Sequence, residues 1–141
     1  MKSCLLLIAL AGVLGVPNLF AEDAYSRAVK AQTILKAKTD AAGHAIKYPK
    51  RGIPELSGYL VEIPPGGETG WHMHPYPCMA YILSGTVEVE QRGGPVRKYT
   101  KGDSFAELVK TQHNGRNRGK QPVKILLFVA GVNGAGPSVK K

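Results

Sequence analysis

Turn-forming residues cut this chain into apolar runs too short for packed helices. Pro64-Pro65-Gly66-Gly67 and Gly93-Gly94-Pro95 both interrupt it, and between them Thr86-Val87-Glu88-Val89-Glu90 alternates with a period of two. Successive side chains of extended backbone point to opposite faces, so the valines are expected to turn inward and the glutamates outward. Further strands are expected over 56–63, over 96–100 across the Gly93-Gly94-Pro95 hairpin, and over 123–129, whose nearly unbroken apolar run predicts a central buried strand. Residues 24–30 suit a short helical turn, and 32–39 read as a first strand before the Asp40-Ala41-Ala42-Gly43 turn. No repeat or second domain is visible, and the reading is a single all-β domain.

Directly after the Pro/Gly turn stands Gly70-Trp71-His72-Met73-His74. Residues i and i+2 of a strand share a face, so His72 and His74 can grip one ion from one side of a sheet. Two neighbouring histidines are also common as plain surface residues. A third, His113, lies far downstream in Thr111-Gln112-His113-Asn114-Gly115-Arg116-Asn117, where another strand has to return it to the pair.

With their glycine spacing, these residues resemble the cupin family. Its first motif runs Gly, five residues, His, one residue, His, three or four residues, Glu, six residues, Gly. It falls here on Gly66, His72, His74, position 78 and Gly85. The second motif, with Gly, Pro, Gly, His and Asn, falls on Gly102, positions 108 and 110, His113 and Asn117. Seven of the ten marked positions match. The resemblance implies a single-domain cupin jelly-roll β-barrel (double-stranded β-helix) and a divalent metal, Fe, Mn, Ni or Zn, held by His72, His74 and His113. It also implies a homodimer, for which no heptad or other independent sign is found.

Three departures carry information. Leu108 and Lys110 replace the motif's Pro and Gly, so the turn before His113 is expected to be built differently. Cys78 replaces the motif's metal-binding Glu. Its sulfur is two bonds nearer the backbone than a glutamate oxygen, and a metal–sulfur bond only about 0.2 Å longer cannot close that gap. Cys78 is therefore read as lining the pocket or as a small packing thiol. Some thiol dioxygenases of this superfamily carry cysteine here, cross-linked to tyrosine, but Phe128 on the last strand offers no such partner. Glu107, on the face shared by odd positions 103–107, is the best general base or an approach to the metal; a charged strand end is the plainer reading. Asn117 is a structural or site-lining residue. If the register runs unbroken from His72, Cys78, Ala80 and Ile82 also face inward. Trp71 and Tyr76 are expected away from the metal, Met73, Met79 and Tyr81 in packing roles, and His44 exposed and inert.

The rest bounds the setting. Met1-Lys2 followed by the apolar stretch from Cys4 to Leu14 reads as a secretory signal over 1–21, too short and glycine-broken for a membrane span. The expected organisation is then an N-terminal segment with the first strand over 22–45, the barrel over 46–131 and a flexible tail over 132–141, exported to a periplasm or secreted. Removing the signal leaves Cys78 as the lone cysteine, so no intrachain disulfide can form. It also leaves 18 Lys and Arg against 10 Asp and Glu. Clusters at 47–51, 97–101 and 110–120 could steer a small anionic ligand or meet anionic envelope polymers, or simply be solvated surface. Nothing resembles a nucleic-acid module. Two functions follow as expectations: a metal-dependent oxygenase or isomerase acting on a small anionic molecule, and a non-catalytic module that binds or senses a metal or small ligand.

Overall fold

The computed structural model describes residues 29–140. The chain divides into Met1–Gln32 and Thr33–Lys141, and all the strands of the described residues lie in the second unit. The signal segment and the expected helical turn, up to residue 28, fall outside the described residues. Seven strands follow: β1 (Pro54–Ile63), β2 (Cys78–Ser84), β3 (Thr86–Gln91), β4 (Val96–Thr100), β5 (Ser104–Ala106), β6 (His113–Arg116) and β7 (Val123–Val132). They form two antiparallel sheets, ordered β1-β7-β2-β5 and β4-β3-β6. The fold is an all-β jelly roll. No helix of the described residues is long and apolar enough to cross a membrane.

The core follows from strand parity. Val87 and Val89 are buried, whereas Glu88 and Glu90 face Arg118 and Arg116 at the surface. From the other sheet Ala80, Ile82, Ile125 and Leu127 meet them, and Tyr99 stacks on Phe105 with ring centroids 3.7 Å apart. β7 is central, as its composition suggested, but it buries one face only. Val123, Ile125, Leu127 and Val129 point in, while Phe128 is 40% exposed beside Leu56 and Leu60 of β1. A slip between Ile82 and Ser84 bends the end of β2. Gly85 follows with φ 75°, and a Cβ there would come within 3.0 Å of the Pro122 carbonyl.

Two expectations change. Residues 32–39 form no strand: Thr39 bridges to Ala45, Lys38 accepts from Ile46 and Ile34 accepts from the Ser104 hydroxyl, but these separate contacts do not build a ladder. The tail is not loose. Met73 and Val139 exchange both main-chain hydrogen bonds, at 3.1 and 2.9 Å, so apparent turn composition hides a docked segment.

Candidate metal centre

Backbone pairing assembles the three histidines. His72 and His113 are directly opposed and exchange both main-chain hydrogen bonds, at 3.0 and 2.9 Å. His74 bridges to Val109, and its carbonyl accepts the Lys110 N–H at 2.8 Å. The strand does not run unbroken into β2, since the segment Pro75-Tyr76-Pro77 separates the bridged histidines from Cys78. Parity nevertheless holds across the break, with Cys78, Ala80 and Ile82 all buried. The imidazole centroids lie 4.3–5.1 Å apart, and the nearest ligand atoms of all three fall within 4.8 Å of one another.

Each ring is oriented by a carbonyl. His72, His74 and His113 donate from Nδ1 to Gly70, Pro137 and Thr111 at 2.8, 2.7 and 2.8 Å. A carbonyl can only accept, so each Nδ1 carries the proton, and in the neutral ring the lone pair is then on Nε2. Burial holds His74 at about 4 and also lowers His113, so both stay neutral near pH 7. The Nε2 atoms of His74 and His113 are buried without a hydrogen-bond partner, and so is Oε2 of Glu107. Burial pushes the Glu107 carboxyl up, while neighbouring His113 pulls it the other way. Buried acceptors that converge with no donor among them fit a cation.

The surrounding cavity, of about 60 Å³, is lined mostly by apolar side chains such as Val61, Val87, Phe105 and Leu127. Its polar lining comes from the histidines, Glu107 and Thr69, and no Lys or Arg lines it. The basic cluster after His113 is largely engaged elsewhere. Arg116 meets Glu68 and Glu90 at 3.0 and 2.8 Å, and Arg118 meets Glu88 at 3.7 Å.

The remaining predicted residues disperse. Cys78 donates to the Tyr76 carbonyl at 3.2 Å, and burial pushes its thiol up to about 12. It belongs to the buried core within range of the Glu107 charge, and also borders a separate hollow with Leu35, Met79 and Phe128. Asn117 is fully buried away from the histidines, where its Nδ2 donates to the Ile63 and Gln121 carbonyls. Tyr76 packs on the core at Gly131, Trp71 lies 4.7 Å below the Arg92 guanidinium, and His44 is exposed. Sequence reasoning missed Thr69, whose hydroxyl accepts the Gly115 N–H, and Asn114, which bonds Glu68. It also missed the Pro137 carbonyl. A backbone acceptor has no residue-type signal.

Leu108 and Lys110 show how the altered turn is built. Leu108 enters the core, at 1% exposure. Lys110 takes the motif glycine's place with φ 54°, among the described residues the one non-glycine in left-handed backbone. That conformation costs a side chain about 1 kcal/mol, partly offset because glycine loses about 0.5–1 kcal/mol more entropy on folding. Lys110→Gly should therefore equal or slightly exceed the native stability. Lys110→Val should fall more than about 1 kcal/mol below it, since β-branching tolerates φ > 0 least. Urea denaturation of the metal-free protein checks the order, and a valine variant as stable as the glycine one contradicts it.

An antiparallel jelly roll with three convergent histidines on its inner face defines a class of metal-binding β-barrels. The chain belongs to the cupin family: the Cupin_2 model, described as a cupin domain, matches residues 59–129. Among solved structures it is similar to DMSP lyase DddQ from Ruegeria pomeroyi. The two are 27% identical with TM-score 0.53, covering 60% of this chain and 42% of that one. An uncharacterised double-stranded β-helix protein from Klebsiella pneumoniae is 24% identical with TM-score 0.52, covering 68% and 91%. Oxalate decarboxylase from Lactobacillus farciminis is 22% identical with TM-score 0.53, covering 60% and 26%. The chain thus spans less than half of the lyase and about a quarter of the decarboxylase. No curated protein matches it.

Proposed function

We propose that this cupin is a metal-dependent enzyme that acts on a small anionic organic molecule, with a divalent ion on His72, His74 and His113. One observation carries the reading: three imidazoles hold Nδ1–H bonds to carbonyls and turn their Nε2 lone pairs to a common point inside the barrel. When bound there, Fe, Mn, Ni or Zn supplies a Lewis acid with positions left for a substrate oxygen. The chain's own groups do the rest. Carbonyls fix the rings, apolar walls limit water, and the small cavity favours a small ligand. With no Lys or Arg in the lining, an anion's charge is met there by the metal alone.

Oxygenase or isomerase chemistry suits such a centre, and the likeness to a DMSP lyase adds elimination to the classes to screen. The apolar lining, poor in groups that could move a proton, favours a second reading in which the barrel binds or senses a metal or ligand without converting it. Residues 1–21 would direct export, tested by fractionation and N-terminal sequencing of the mature chain. The exposed Leu56, Leu60 and Phe128 would mark where a second copy pairs, tested by light scattering of Leu60→Lys.

Protein purified from its native compartment should contain about one divalent ion per chain. The His72→Ala/His74→Ala variant should contain none while keeping its β circular dichroism. Wild-type protein that stays metal-free after exposure to Fe(II), Mn(II), Ni(II) and Zn(II) refutes the metal centre. A ligand that raises Tm and is recovered unchanged selects the binding module; conversion selects the enzyme.

A further inference from the structure

We infer that Glu107 is the fourth protein ligand of the metal, standing in across a β-ladder for the carboxylate that the first motif lost at position 78. The inference rests on the three-histidine reading and deepens it. β2 and β5 pair with Met79 opposite Ala106 and Ala80 opposite Phe105. One rung further, the Glu107 N–H donates to the Cys78 carbonyl at 2.9 Å, so Glu107 stands directly across from Cys78. Opposed residues of an antiparallel pair project to the same face of the sheet. A carboxylate moved from one strand to its partner therefore still addresses the same interior.

The distances agree. Glu107 Oε2 lies 3.6 Å from His113 Nε2 and 3.9 Å from His74 Nε2. Both are too long for hydrogen bonds. Two donors each about 2.1 Å from one ion stand roughly 3–3.5 Å apart, so only a small inward movement is needed. The same oxygen has no hydrogen-bond partner and is buried. Facing two imidazole lone pairs, a carboxylate oxygen needs positive charge between them, and a metal ion satisfies all three acceptors at once where a proton satisfies one pair.

The segment that carries Glu107 is fastened for this purpose. Ala41 N–H donates to the Ala106 carbonyl at 2.9 Å, and buried Asp40 accepts the Val109 N–H at 3.1 Å. Glu107 is thus held from both sides by the N-terminal turn, while Cys78, at the vacated position, packs in the apolar core. One consequence concerns the substrate. Three neutral imidazoles and one carboxylate leave a divalent ion with net charge +1, which a single carboxylate or enolate neutralises. The site then selects monoanions over dianions, since no cationic side chain lines the cavity.

Metal affinity by chelator competition, together with the visible spectrum of the Co(II)-loaded protein, tests this without any activity assay. Glu107→Gln, which preserves shape, should weaken Co(II) binding by about 100-fold or more, beyond the 10–100-fold typical of losing a ligand's hydrogen-bond partner, and should change the spectrum. The double variant Cys78→Glu/Glu107→Ala should recover most of the affinity that Glu107→Ala loses. An unchanged dissociation constant and spectrum in Glu107→Gln overturns the inference while leaving the three-histidine site standing. A folded double variant with no recovery overturns the exchange across the ladder. Wild-type protein that binds no Co(II) instead overturns the underlying metal reading.

Discussion

Deleting residues 137–141 should weaken metal binding by about 10–100-fold, the range for losing a partner that orients a ligand, while the barrel stays folded. His74 donates from Nδ1 to the Pro137 carbonyl at 2.7 Å, and the reciprocal bonds between Met73 and Val139 hold that carbonyl in place. Without the tail, the His74 proton is free to move to Nε2, the atom that must bind the ion. The cost to the fold is small, because the deletion removes a single bridge at the rim and no core side chain. Deleting 140–141 alone should change nothing. Chelator competition reads the affinity, and long-range ¹H–¹⁵N spectra of the imidazoles read the tautomer. Equal affinity in the two deletions would show that the tail has no part in the centre.

The second large effect is on stability. Asn117→Ala should cost about 2–4 kcal/mol, because each buried polar group left unpaired costs about 1–3 kcal/mol. Its Nδ2 satisfies the Ile63 and Gln121 carbonyls at 2.9 and 2.8 Å, and its Oδ1 accepts the Gly119 N–H at 2.9 Å. The main chain of the same residue bonds Gly66 and Gly67 at 3.0 Å. Asn117 therefore ties the turn of the first motif to the end of the second. Asn117→Asp should be worse than Ala, since it sets a carboxylate oxygen against two carbonyls. Chemical denaturation of metal-free protein measures both, and a cost below about 1 kcal/mol for Ala would deny the residue this role.

What was legible in the sequence is what local chemistry writes there. The alternation around Val87 and Val89 gave β3 and its inward face, the Gly93-Gly94-Pro95 turn gave the hairpin, and histidine and glycine spacing identified the family. β4 matches the expected 96–100, and β1 and β7 extend their expected runs by a few residues because each pairs along the other's full length. What was not legible depends on pairing between distant segments. Whether 32–39 forms a strand depends on the register of its neighbours, which here give it single bonds and no ladder. That Glu107 faces Cys78 is a fact of register, and that Pro137 orients His74 is a contact across 63 residues. Lys110 in left-handed backbone is the converse case: the motif announced the turn, but residue type concealed its geometry.

The docked tail also sets an order of events. His74 precedes by 63 residues the carbonyl that fixes its proton, so the arrangement is complete only once Pro137 is in place. A polypeptide that stops short of Pro137 has all three histidines, and the Gly70 and Thr111 carbonyls for two of them, but not the carbonyl that sets the His74 tautomer. A metal that needs His74 in this tautomer would then be chosen late, from the ions that surround the chain when Pro137 docks.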